Sequence, residues 1–239
     1  MILIIGGAGN TQSYFSMFMR LIQIELLQQV RFLPLEESNA DSIEKLFKEA
    51  YDSKRVLIGF SLGANAALAF SNIYTIDKLI LVSPISIFDM VFNHNGVLHT
   101  AKSYQPLKSC WWNDMRIAKR LICFVDSFIV GREILSRLYK TMNPKSPKMV
   151  LDEIHRQGYT NLLDNIETYV TKINMGESLS NTRAKRILII CGKQDEFLHV
   201  SKTIECTSND SRIQVRICEG DHHILLINPE DVLLRMGVV

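Results

Sequence analysis

The sequence predicts an α/β fold, a doubly wound and mostly parallel sheet with a helical insertion. Three observations carry this. Short apolar runs alternate with longer amphipathic stretches over residues 1–84 and again over 186–239. That alternation marks strands laid parallel by crossover helices. Residues 85–185 lack it and read as helices. Glycines and chemically active side chains follow directly on the apolar runs, at the strand ends where open α/β sheets gather their sites.

The elements follow in order. Ile2-Leu3-Ile4-Ile5 is a first strand, ended by Gly6-Gly7-Ala8-Gly9. A helix over about 12–28 places Phe15, Phe18, Leu21, Ile22 and Leu26 along its length. Val30-Arg31-Phe32-Leu33 is a second strand. The next helix starts near Asp41, where Asp41 and Glu44 have capping-box spacing. Its apolar face is Ile43, Leu46, Phe47, Ala50 and Tyr51. Arg55-Val56-Leu57-Ile58 is a buried strand, and the small residues of 64–70 favour a helix after it. Lys78-Leu79-Ile80-Leu81-Val82 is a fourth strand, closed by Ser83-Pro84. Helices are expected over about 113–124, 132–142, 148–157 and 161–174, with a Pro-rich breaker at 143–147. A strand over 186–191 and a second one carrying Ile213, Val215 and Ile217 return to the sheet. Asn228 caps a last helix with Pro229 in its first turn.

Gly59-Phe60-Ser61-Leu62-Gly63 fits the G-x-S-x-G nucleophile elbow, a serine on a sharp strand-to-helix turn. The chemistry needs both glycines, Gly59 and Gly63, because a serine forced into a strained turn tolerates no crowding Cβ on either side. The helix that follows aims unpaired N–H groups at a reacting oxyanion. The bland alternative is a turn serine with no chemistry. The motif implies the order serine, acid, histidine. Gly192-Lys193-Gln194-Asp195 follows one strand, and Glu219-Gly220-Asp221-His222-His223 follows the last. Asp195 has rivals in Glu196 and Asp89, and could itself be a loop acid or helix cap. His222 has a rival in His223.

With these motifs the chain resembles the α/β-hydrolase family over nearly its whole length. Gly6-Gly7-Ala8-Gly9 resembles the family's His-Gly-x-Gly oxyanion loop, with Gly6 replacing the histidine. A phosphate-cradling loop is the alternative, although Thr11 breaks the dinucleotide spacing. Gly220-Asp221-His222 followed by Pro229-Glu230 resembles the histidine loop and its helix, and the spacing to Pro229 favours His222. The resemblance implies a reduced α/β-hydrolase fold, with a core of 1–84 and 186–239 and a helical cap or lid of 85–185. It implies Ser61, Asp195 and His222 as a catalytic triad, and the N–H groups of Ala8 and Leu62 as oxyanion donors. The implied reaction is hydrolysis of a carboxylic ester or thioester through an acyl-enzyme. Carbon–carbon bond hydrolysis, acyl transfer and peptide cleavage use the same triad, and a non-catalytic binding module uses the same fold. No metal or organic cofactor is implied.

Composition bounds these readings. The 239 residues suffice for one α/β domain with an insertion. Net charge is +2, which demands no nucleic-acid partner. No apolar window is long enough to span a bilayer. The start has no basic leader, so a cytoplasmic location is expected. Five cysteines with no metal-ligand spacing fit a reducing compartment. Residues 85–185 carry 14 Lys or Arg against 9 Asp or Glu, with Trp111, Trp112 and the apolar 124–130 stretch. A lid that receives an acyl chain, or transient contact with an anionic lipid surface, fits that pattern. Ordinary core packing is the alternative.

Overall fold

Continuous apolar runs become strands buried on both faces. The computed structural model describes residues 1–49, 54–85, 119–142, 144–171, 175–195, 197–198, 200–207 and 209–237. Its strands are β1 (Ile2–Ile5), β2 (Val30–Leu33), β3 (Val56–Phe60), β4 (Lys78–Val82), β5 (Ile187–Gly192) and β6 (Ile213–Cys218). They form one sheet in the order β2-β1-β3-β4-β5-β6, with every neighbouring pair parallel. Every residue of β1 and β5 is buried, and in β3 and β4 all but the first. The edge strands β2 and β6 are only partly covered. This is the pattern of a parallel sheet covered by helices.

The helices are α1 (Ser16–Leu26), α2 (Ala40–Glu49), α3 (Leu62–Ile73), α4 (Ile129–Met142), α5 (Lys148–Gln157), α6 (Tyr159–Ile166), α7 (Met175–Asn181), α8 (Val200–Thr207), α9 (Ile224–Ile227) and α10 (Pro229–Arg235). Residues 119–126 are also helical. Expectation and structure agree on α5, and on α10, where the Asn228 side chain accepts from the Asp231 amide. Elsewhere local polar bonds win. The first helix begins only at Ser16, because residues 11–15 close turns in which Thr11 and Ser13 hydroxyls bond at 2.6 Å. It ends at Leu27, held left-handed at φ 50°. The expected Asp41–Glu44 capping box is absent. Asn39 caps α2 by accepting from the Ser42 amide at 2.9 Å, and Glu44 pairs with Lys48 at 2.8 Å. The helix expected over 161–174 starts at Tyr159 and passes after Ile166 into a π turn over Glu167–Thr171. The first half of the helix expected over 113–124 lies outside the described residues.

The register aligns the strand ends that matter. Ile5 lies opposite Gly59, Phe60 opposite Val82, and Gly192 opposite Cys218. Because all strands run the same way, the loops after β1, β3, β4, β5 and β6 leave from one edge. The strand order reverses between β1 and β3, which opens a crevice at that edge.

Candidate active site

Ser61 sits where β3 turns into α3, at φ 55° and ψ −126°. For a residue with a Cβ this is a strained conformation. The two glycines permit it. A Cβ on Gly59 would lie 2.4 Å from Ala64 Cα, and one on Gly63 would lie 2.3 Å from the Gly6 carbonyl oxygen. The elbow is therefore packed backbone against backbone, with α3 pressed onto the end of β1.

The structure brings Ser61, His222 and Asp195 into one hydrogen-bonded chain. His222 Nε2 is 2.8 Å from Ser61 Oγ. His222 Nδ1 is 3.0 and 3.1 Å from the two Asp195 carboxylate oxygens. An ionised carboxylate only accepts, so Nδ1 carries the ring proton and Nε2 accepts from the serine hydroxyl. All three residues are buried. The imidazole packs on Phe197, with ring centroids 4.7 Å apart, and on Phe60 at 5.6 Å. Phe197 also donates its backbone N–H to Asp195 at 2.9 Å.

Burial alone would raise the Asp195 pKa. The His222 charge and hydrogen bond, with the Phe197 amide, outweigh burial and hold it below the usual carboxylate range. The Ser83 hydroxyl adds a smaller pull in the same direction. It is fully buried at φ 45°, outside strict hydrogen-bond geometry with any described residue.

The loop after β1 faces the serine. A side chain at Gly7 would meet Ser61 Cβ at 2.8 Å. The Gly7 amide is held by the Asn10 side chain at 2.9 Å. No described acceptor takes the Ala8 amide. Leu62 is the first residue of α3, and first-turn amides have no intrahelical acceptor. Helix α5 lies against this loop, since Ile154 and the Val150 carbonyl fill the space beside Gly9.

Of the rivals, Asp89 and Glu196 lie outside the described residues, as do Trp111 and Trp112. His223 instead meets Tyr14 Oη through its Nδ1 at 3.1 Å. The 124–130 stretch does not form an inner lining. Phe124, Phe128, Ile129 and Val130 are 66%, 54%, 87% and 72% exposed. Tyr14, Asn10 and Phe197 lie in no recognisable motif, so no local pattern in the sequence marks them. Among the described residues no group of three or more His, Cys, Asp or Glu is placed to hold a metal, and no helix is long and apolar enough to cross a membrane.

No family model matches the chain, and no curated protein matches its sequence. Solved structures do. MenH from S. aureus superposes with a TM-score of 0.63 at 14% identity, covering 100% of this chain and 92% of that one. A thermophilic esterase from Thermogutta terrifontis gives 0.63 at 14%, covering 99% and 87%. The thioesterase domain from the curacin biosynthetic pathway gives 0.55 at 13%, covering 99% and 88%. At such identities the likeness is one of fold, and with the single parallel sheet it shows that the chain has the α/β-hydrolase fold.

Proposed function

We propose that the protein is a serine hydrolase acting on a small-molecule carboxylic ester or thioester. One observation carries the reading: the unbroken Ser61–His222–Asp195 chain of hydrogen bonds on a positive-φ serine. In this reading Ser61 Oγ attacks the carbonyl carbon while His222 Nε2 takes its proton. His222 then returns that proton to the leaving group, and Asp195 orients the ring and stabilises its cation. The amides of Leu62 and Ala8 receive the oxyanion, and each such donor is worth about 3 kcal/mol. A water, activated by His222, releases the acyl group and restores the serine.

The proposal extends to the chain's organisation. Residues 1–84 and 186–239 supply the catalytic core, and 85–185 act as the cap that selects the acyl and leaving groups. The packing of α5 against the Gly6–Gly9 loop supports this. The proposed setting is cytoplasmic, where the free thiols Cys123, Cys191 and Cys218 stay reduced. The reading involves no nucleic acid and no cofactor.

The test is a panel of p-nitrophenyl esters and acyl-CoA thioesters of graded chain length, turned over by the wild-type protein and by Ser61→Ala. Turnover of at least one class by the wild type, abolished in the variant, is expected. Folded wild-type protein that turns over none of them would count against ester and thioester chemistry and favour a carbon–carbon bond substrate or a binding role.

A further inference from the structure

The second histidine of the last strand's loop takes no part in the chain of bonds that ends at Ser61, yet it is as buried as the first. We infer that Tyr14 and His223 form an uncharged hydrogen-bonded brace that ties the turn after the glycine loop to the histidine loop and so positions His222. The inference rests on the hydrolase reading for its kinetic consequences and on the geometry alone for the bond.

The bond joins residues 209 apart in sequence, both under a tenth exposed. Each end is fixed. Tyr14 lies in the turn 11–15, its amide bonded to the Thr11 carbonyl. That turn follows Asn10, which holds the Gly7 amide beside Ser61. His223 donates its backbone N–H to Asp221 at 2.9 Å, and its carbonyl accepts from the Leu226 and Ile227 amides. The Tyr14 ring packs on Phe60 at 5.7 Å, and Phe60 packs on His222 at 5.6 Å. Tyr14 thus touches the histidine loop directly and reaches His222 through Phe60.

The charge states agree with this geometry. Burial, then Asp221, raises the Tyr14 pKa beyond its ordinary range, so the phenol keeps its proton and donates it. Burial, then the neighbouring His222, lowers the His223 pKa to about 4, against weaker opposite pulls from Asp221 and Asp195. Neutral His223 therefore accepts at Nδ1 and carries its proton on Nε2. This matters for the reaction. The His222 and His223 rings are 5.5 Å apart, and His222 becomes a cation when it takes the serine proton. A second cation at that distance would oppose the step. Burial and His222 keep the neighbouring ring neutral, and the bond to Tyr14 holds it in place.

The experiment uses Tyr14→Phe, His223→Phe, the double variant, and His223→Asn, which places an untitratable acceptor near the position of Nδ1. The rate of Ser61 labelling by a fluorophosphonate is measured, with kcat and KM for a p-nitrophenyl ester. Each single Phe variant should label and turn over about tenfold more slowly, the effect of one lost buried hydrogen bond, with KM little changed. The double variant should be no slower than the worse single, and His223→Asn should recover most of the loss. In the ¹⁵N spectrum, neutral His223 should be the Nε2–H tautomer in the wild type and mixed in Tyr14→Phe. Additive losses, failure of His223→Asn to recover activity, or an unchanged tautomer in Tyr14→Phe would overturn the brace. Wild-type protein inert to the probe would instead sink the hydrolase reading, and the tautomer spectra would then decide the bond by themselves.

Discussion

The strand-end site and the helical segment between β4 and β5 are built by different means. At the strand ends, loops meet backbone to backbone, and Ser61, Asp195, His222 and His223 are all under a tenth exposed. The helical segment adds partly exposed polar ties to the apolar contacts of Val150, Ile154, Tyr159 and Leu162 with the core. Asp126 receives Arg132 at 3.0 Å and both the amide and hydroxyl of Thr160. Lys119 joins Asp164 and Glu167. The same segment leaves Leu121, Phe124, Phe128, Ile129, Val130, Ile134 and Leu138 more than half exposed. Side-chain placement is over-determined at the first region and loosely specified on the outer face of the second.

The largest expected effects lie at the strand ends. His222→Ala should lower kcat/KM roughly ten-thousand-fold, and Asp195→Asn by a large factor as well, because the ring would take the wrong tautomer. Steady-state kinetics on folded variants checks both. A milder loss in His222→Ala than in His223→Ala would reverse the roles given to the two rings.

Next comes backbone packing. Gly63→Ala puts a Cβ 2.3 Å from a carbonyl oxygen that belongs to β1's loop. It should cost about 3 kcal/mol of stability, read from the urea midpoint. A neutral result would mean that the elbow is not pressed against β1 as described.

A comparable effect should appear with pH. His223 has its pKa lowered from 6.5 to about 4 by burial. Between those values the unfolded chain binds the proton and the folded chain does not, so stability falls as pH drops from 6.5 towards 4. The loss should reach about 3 kcal/mol, and His223→Phe should remove it. Denaturation curves at graded pH give the answer, and equal slopes for wild type and variant would refute the burial argument.

The smallest effects belong to the helical segment. Ile129→Ser, at a position 87% exposed, should change stability by no more than about 0.5 kcal/mol. The same change should weaken sedimentation with phosphatidylglycerol vesicles if the exposed apolar face and the basic excess of 85–185 meet an anionic surface. Unaltered or absent vesicle binding would leave that face without a lipid role.

How much was legible in the sequence follows the same division. The central strands were readable because burial on both faces leaves no room for polar side chains in 2–5, 79–82 or 187–192. Helix α5 was readable because Pro147 and Gly158 bracket it. Ser61, Asp195 and His222 were findable because each follows a strand at a recognisable glycine. The misses have local causes. Thr11 and Ser13 held the chain in turns where apolar spacing suggested helix. Asn39 outcompeted Asp41 for the cap of α2, since its oxygen reaches the Ser42 amide. The apolar 124–130 stretch suggests lining or core, because spacing reveals an apolar face but not what covers it. Tyr14 and His223 were invisible as a pair, because no local pattern encodes a contact across 209 residues.

The most direct measurement is covalent labelling with a fluorophosphonate, followed by peptide mapping. The account predicts one adduct per chain, on Ser61 Oγ, absent in Ser61→Ala and slowed strongly in His222→Ala. Folded wild-type protein that takes no label, or takes it elsewhere, would contradict the claim that this chain of bonds activates a nucleophile.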